Sequence, residues 1–153
     1  MNHSFNLKSQ PDKSSQCGQT VIFMVTGRDF IEITDLAGSR RMYPRDIRKA
    51  LEQFGWEMSK HNTCKLPDYP EVPAVLFGQK VEDHKMFGHW MLWTGGRIYD
   101  PQGGNIFQTL GKDWSGRFYE IKEKSAATAE LRAENEQLKK DLQENEVTQC
   151  QTE

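Results

Sequence analysis

The sequence predicts an α+β domain, with N-terminal helices packed on an antiparallel sheet, that continues into a C-terminal helix. Three observations lead there. Helix-like apolar stripes with glycine stops come early in the 153 residues. Short runs of β-branched and aromatic residues, separated by glycine and proline turns, follow them. Composition then changes abruptly at Lys122, after which no Gly, Pro or aromatic residue occurs. Helices first and strands afterwards is the order of an α+β architecture, not of an alternating parallel sheet.

The first helix is expected to begin at or just before Cys17. Val21, Ile22 and Val25 share one face, and Gly27 supplies the stop. A second helix is expected over residues 44–54. Pro44 suits a first turn, Ile47, Leu51 and Phe54 form the apolar stripe, and Gly55 terminates it. Between the two, residues 35–38 read as a short helical turn. Ala74-Val75-Leu76-Phe77, after three prolines, reads as a buried strand. The runs His89 to Trp93 and Arg97 to Tyr99 flank Thr94-Gly95-Gly96 and read as a β-hairpin. Residues 117–121 are the last expected strand. Three divisions follow: an arm or strap over 1–14, one domain over 15–121, and a helical tail over 122–153.

Composition narrows the function. Lys and Arg number 20 against 22 Asp and Glu, so a net charge of −2 offers no general attraction to nucleic acid or an anionic membrane. Mean hydropathy is −0.78, low for a chain wholly packed in a core. The longest apolar run, Val21 to Val25, is far too short to span a bilayer, and the polar first residues lack the apolar stretch of a secretory signal. Three cysteines at wide spacing do not make a disulfide framework. The expected setting is therefore the reducing cytoplasm, with Cys17 a free thiol.

Cys17 is placed where a thiol becomes reactive. The segment Ser14-Ser15-Gln16-Cys17-Gly18 runs directly into the apolar helix. Unpaired N–H groups and the positive helix end both favour thiolate over thiol. Gly18 leaves room for a substrate backbone, and the Cys17 N–H is a candidate oxyanion donor. The ordinary alternative is a packed cysteine at a helix start. The hairpin weighs against that. A turn at Thr94-Gly95 would set His89 directly opposite Asp100, and a turn at Gly95-Gly96 would make them diagonal neighbours on one face. Either way a carboxylate can orient the imidazole, leaving its other nitrogen free to take the thiol proton.

With these residues the sequence resembles the C39-like branch of the papain-like cysteine peptidases. The resemblance rests on Cys17-Gly18 opening a helix, the segment from Ile47 to Gly55, Gly88-His89-Trp90, and Tyr99-Asp100-Pro101 with Gly103. It implies a papain-like fold, with Cys17 as nucleophile, His89 as general base and then acid, and Asp100 as the orienting carboxylate. It implies no cofactor, and a protein or peptide substrate cleaved at a peptide, isopeptide or amide bond. It also implies an oxyanion glutamine six positions before the cysteine, where this chain has Pro11. Gln10 is adjacent to that position and Gln16 is the alternative. Trp90, beside His89, is a candidate groove residue with Gly18.

Other constellations are weaker. His61, Cys64, His84 and His89 number enough for zinc, but their intervals are irregular and no Cys-x-x-Cys pair is present. No Gly-x-Ser-x-Gly nucleophile motif occurs. Over residues 125–147 a heptad places Thr128, Asn135 and Leu142 at a, and Leu131, Leu138 and Asn145 at d. It predicts a parallel homodimer, with a solvated single helix as the alternative. Two competitors to the enzyme remain: a catalytically inactive papain-like binding module, and a coiled-coil adaptor recruiting a protein partner.

Overall fold

Helix α1, Cys17–Thr26, starts and stops where its residue types dictate. Val21, Ile22 and Val25 are buried, and Gly27 ends the helix at φ 66° with its N–H donating to the Phe23 carbonyl at 2.8 Å. The structure, a computed structural model, describes residues 5–11, 15–82 and 85–124. The chain divides into two units, Met1–Lys122 and Glu123–Glu153. The heptad over 125–147 lies outside the described residues, as does the rest of the arm.

Two further helices follow. Phe30–Ala37 forms α2, a full helix where the sequence suggested only a short turn. Asp29 caps it, its Oδ1 accepting the Ile31 N–H at 2.7 Å. Ile33 is its one buried residue, with Ala37 packed beside the core and Phe30, Ile33 and Ala37 at helical spacing. Pro44–Gln53 forms α3, burying Ile47, Ala50 and Leu51. Asp46 reaches back to accept the Tyr43 N–H at 3.0 Å, and Gly55 follows the helix at φ 83°.

The strands are β1 (Trp56–Met58), β2 (Cys64–Lys65), β3 (Ala74–Glu82), β4 (Lys85–Trp93), β5 (Ile98–Asp100), β6 (Asn105–Phe107) and β7 (Trp114–Glu123). They form an open seven-stranded sheet in the order β1-β7-β3-β4-β5-β6, with β2 pairing to β7. The β3–β4 ladder runs antiparallel from Ala74↔Trp93 to Glu82↔Lys85, and β7 flanks β3 from Ala74↔Glu120 to Lys80↔Trp114. Three helices and an antiparallel sheet make this an α+β fold among the described residues. The long strands extend past their apolar runs, where Val81, Met86 and Phe87 stand exposed. Strands β1, β2 and β6 are too short to show a period in sequence.

Both sheet faces are covered. Strand alternation sends Val75, Trp90, Leu92, Tyr119 and Ile121 toward the helices. It sends Ala74, Leu76, Met91, Trp93, Ile98 and Phe118 to the other face, under Leu66, Tyr69, Leu110 and Trp114. Buried polar groups tie the layers together. Gln19 Nε2 donates to the carbonyls of Gly38 at 2.7 Å and Arg40 at 2.9 Å. Trp90 Nε1 donates to the Met42 carbonyl at 2.9 Å. The described arm is a strap: Asn6 N–H donates to Met24 O at 3.1 Å and Gln10 N–H to Pro101 O at 2.8 Å. No helix among the described residues is long and apolar enough to cross a membrane.

Gly18 is buried in this packing, and a Cβ there would meet Ile47 Cδ1 at 3.0 Å and the Met42 side chain at 3.1 Å. Gly18→Ala should therefore cost about 1–3 kcal/mol in urea unfolding through overpacking. Gly96→Ala, where a Cβ meets nothing within 4 Å, should stay within about 0.5 kcal/mol.

Candidate active site

The β4–β5 turn decides which side chains meet. Thr94 N–H donates to the Arg97 carbonyl at 3.0 Å, and the pairs are Leu92↔Tyr99 and Trp93↔Ile98. The turn is thus Gly95-Gly96, with Gly95 at φ 89°, a conformation natural only to glycine at the first position of a II′ turn. Of the two registers open in the sequence, this is the diagonal one. His89 and Asp100 leave the sheet on the side of Met91, Trp93 and Ile98, and His89 Nε2 meets Asp100 Oδ1 at 2.5 Å. The same Oδ1 accepts the Gln102 N–H at 2.7 Å. A carboxylate can only accept, so Nε2 carries the proton and Nδ1 is the ring nitrogen left for another partner.

That partner is Cys17. The β4–β5 pairing ends at Leu92↔Tyr99, leaving the edge of β4 uncovered at Trp90. The N-terminus of α1 occupies this edge. The thiol there interacts with the His89 side chain and accepts from the backbone N–H groups of Trp90 and Gly18. Burial, the largest single influence, pushes the Cys17 thiol up, but the His89 hydrogen bond, the Trp90 N–H, the imidazolium charge and the Gly18 N–H together outweigh it. The net shift is downward from 9.0. Burial likewise pushes His89 down, and its bonds to Asp100 and Cys17 with their charges outweigh that, holding it up at about 9. The two opposite shifts each favour the ionised form, thiolate for Cys17 and imidazolium for His89.

The pair opens onto a cleft of about 520 Å³ lined by Gln10, Ser15, Cys17, Arg41, Lys80, Met86, Phe87, Gly88, His89, Gln102 and Trp114. Gln10 is in this lining, held by its backbone bond to Pro101 next to Asp100. Gln16 is not; it precedes α1, and its carbonyl accepts the Thr20 N–H and hydroxyl, both at 2.9 Å. The groove expected from Gly18 and Trp90 needs correction. Gly18 faces Ile47 and Met42, and Trp90 is 1% exposed with its indole bound to Met42, so both belong to the core.

Sequence reasoning did not find Arg41, Lys80, Phe87 or Trp114. They come from four separate elements and share no motif. Gln19 gave one readable signal, a polar residue inside an apolar helix face. His61, Cys64 and His89 do not converge with other ligands: among the described residues no three His, Cys, Asp or Glu side chains are placed to hold a metal ion. His84 lies outside them.

No protein-family profile matches the chain, and no curated protein matches it.

Cysteine labelling reads the ion pair directly. Cys64 is pushed up by burial and by the charges of Asp68 and Glu120, opposite to Cys17. Iodoacetamide at pH 7 should therefore modify Cys17 well ahead of Cys64, as peptide mapping would show, and His89→Ala should erase the preference. The signs set the pH limits. The thiolate is lost as pH falls through the depressed Cys17 value, and the imidazolium is lost as pH rises through about 9. Any turnover needing both forms should follow a bell with its alkaline limb near 9.

Proposed function

We propose that the chain is a cysteine hydrolase of papain-like, C39-like type, acting on peptide, isopeptide or side-chain amide bonds. The observation that carries this is one ring, His89, bound to Asp100 through Nε2 while its remaining side serves the Cys17 sulfur at a helix N-terminus. A structural histidine needs only one such partner, and a packed cysteine needs no lowered pKa.

The chemistry follows from the groups present. The Cys17 thiolate attacks the substrate carbonyl carbon, forming an S–C bond and moving the carbonyl electron pair onto oxygen. The N–H of Cys17 heads α1 and has no acceptor within the helix, so with the Gln10 amide it forms the expected oxyanion donors. Collapse of the adduct breaks the C–N bond, and the leaving amine takes its proton from His89. The thioester that remains is attacked by water. His89 accepts the water's proton, and the carboxylic product departs as the Cys17 thiolate returns. Asp100 keeps the ring in one orientation and stabilises its cationic form throughout.

Variants in a peptide or amide hydrolysis assay test each role. Cys17→Ala and His89→Ala should lose about a thousandfold or more in kcat with unchanged circular dichroism. Asp100→Asn should lose less than either, and Gln10→Ala about a hundredfold. Undiminished hydrolysis by purified Cys17→Ala protein would overturn the proposal.

A further inference from the structure

We propose that the cleft selects an anionic, apolar-flanked peptide: Arg41 binds a substrate carboxylate beside the scissile bond, and Phe87 with Trp114 holds a bulky apolar side chain. This rests on the hydrolase reading of the same cleft.

Arg41 is presented by a pinned piece of backbone. The carbonyl before it, on Arg40, is held by the buried Gln19 amide at 2.9 Å, and the one after it, on Met42, by the Trp90 indole at 2.9 Å. Its guanidinium lies over Gly88, where a Cβ would collide with Nη2. Gly88 directly precedes His89, and Arg41 and Cys17 line the same cleft. The guanidinium forms no ion pair with a described residue, whereas Lys80, the other cation lining the cleft, is bound to Asp113 at 3.0 Å. No carboxylate among the described residues lines the cleft. A guanidinium that has no carboxylate partner among the described residues and lines a concave site favours a carboxylate, which it can bind with two parallel N–H bonds.

The apolar half is equally exposed. Phe87, 50% accessible on β4, shares its sheet face with Trp114 of β7 through their common pairing to Lys80, while Met86, 67% accessible, leaves β4 on the other face at the rim of the cleft. Large apolar side chains grouped beside a reactive thiol fit a substrate side chain better than solvent.

Iodoacetate and iodoacetamide alkylate the same thiolate with loss of iodide and differ by one negative charge. The ratio of their rates at Cys17 should fall about threefold or more in Arg41→Gln and recover in Arg41→Lys. Two peptide pairs then locate the carboxylate: Glu against Gln in amidated peptides, and free against amidated C-termini. One pair should show a kcat/KM preference for the anion that Arg41→Gln removes. Phe87→Ala should raise KM more for a Leu-containing peptide than for its Ala counterpart. A rate ratio unmoved by Arg41→Gln, or no preference in either peptide pair, overturns the carboxylate assignment while Cys17 chemistry stands. Equal effects of Phe87→Ala on both peptides overturn the apolar assignment. Failure of both reagents to label Cys17 removes the hydrolase reading and this inference with it.

Discussion

The hydrogen bond from His89 Nε2 to Asp100 Oδ1 is the contact on which the remaining chemistry of the cleft depends. It gives the imidazole one tautomer and one orientation, and it stabilises the charged ring in a place where burial works against charge. Among the described residues no other side-chain hydrogen bond to the ring fixes which nitrogen faces the thiol. The contact is a product of hairpin register. A glycine pair turns the chain so that Leu92 meets Tyr99; Asp100 then falls opposite Met91, and His89, two residues further along β4, becomes its diagonal neighbour on the same face. A slip of one residue would send one of the two side chains to the other side of the sheet.

Burying two opposite charges carries a desolvation penalty that attraction alone does not always offset. Here the compensation is distributed. The Asp100 carboxylate accepts from the ring and from the Gln102 N–H, and the sulfur accepts from two backbone N–H groups as well as from His89. The orphan donors at the start of α1 add their field. The backbone donor on β4 is available because β5 has already diverged, so the end of one ladder supplies part of the site.

Rigidity around this point comes from a sheet covered on both faces. Trp90 fills the helix side and Met91 the other, and the indole of Trp90 also anchors the Met42 backbone. Gln19, two residues beyond Cys17 on α1, anchors the same segment from the helix. The helix carrying the thiol and the strand carrying the imidazole are therefore tied to one common loop. Buried donors with fixed acceptors of this kind, the Gln19 Nε2 and the Trp90 indole, favour a single arrangement of the layers. The arm adds a third tie through Gln10 and Pro101.

Much of this was legible in the residues. The bounds of α1 and α3 follow from apolar spacing and from Pro44, Gly27 and Gly55, because capping is a local matter. Cys17, His89 and Asp100 were readable as a set for a similar reason: a helix start and a hairpin place chemical groups by rules that reach only a few residues. Helix α2 was read only as its last turn, although Asp29 and the spacing of Phe30, Ile33 and Ala37 are local signals of it, whereas β1, β2 and β6 are shorter than any detectable period. Which of Gln10 and Gln16 lines the cleft rested on the path of a strap, set by a bond to Pro101 far along the chain. Gly18 and Trp90 passed into the core because packing against Met42 and Ile47 depends on helices approaching the sheet. Local spacing carried α1, α3, the β4–β5 hairpin and the candidate set Cys17, His89 and Asp100, since each is written in short-range pattern. Only the tertiary structure decided the register of the hairpin, the strap and the walls of the cleft, because each is settled by contacts between residues remote in sequence whose geometry no local pattern encodes.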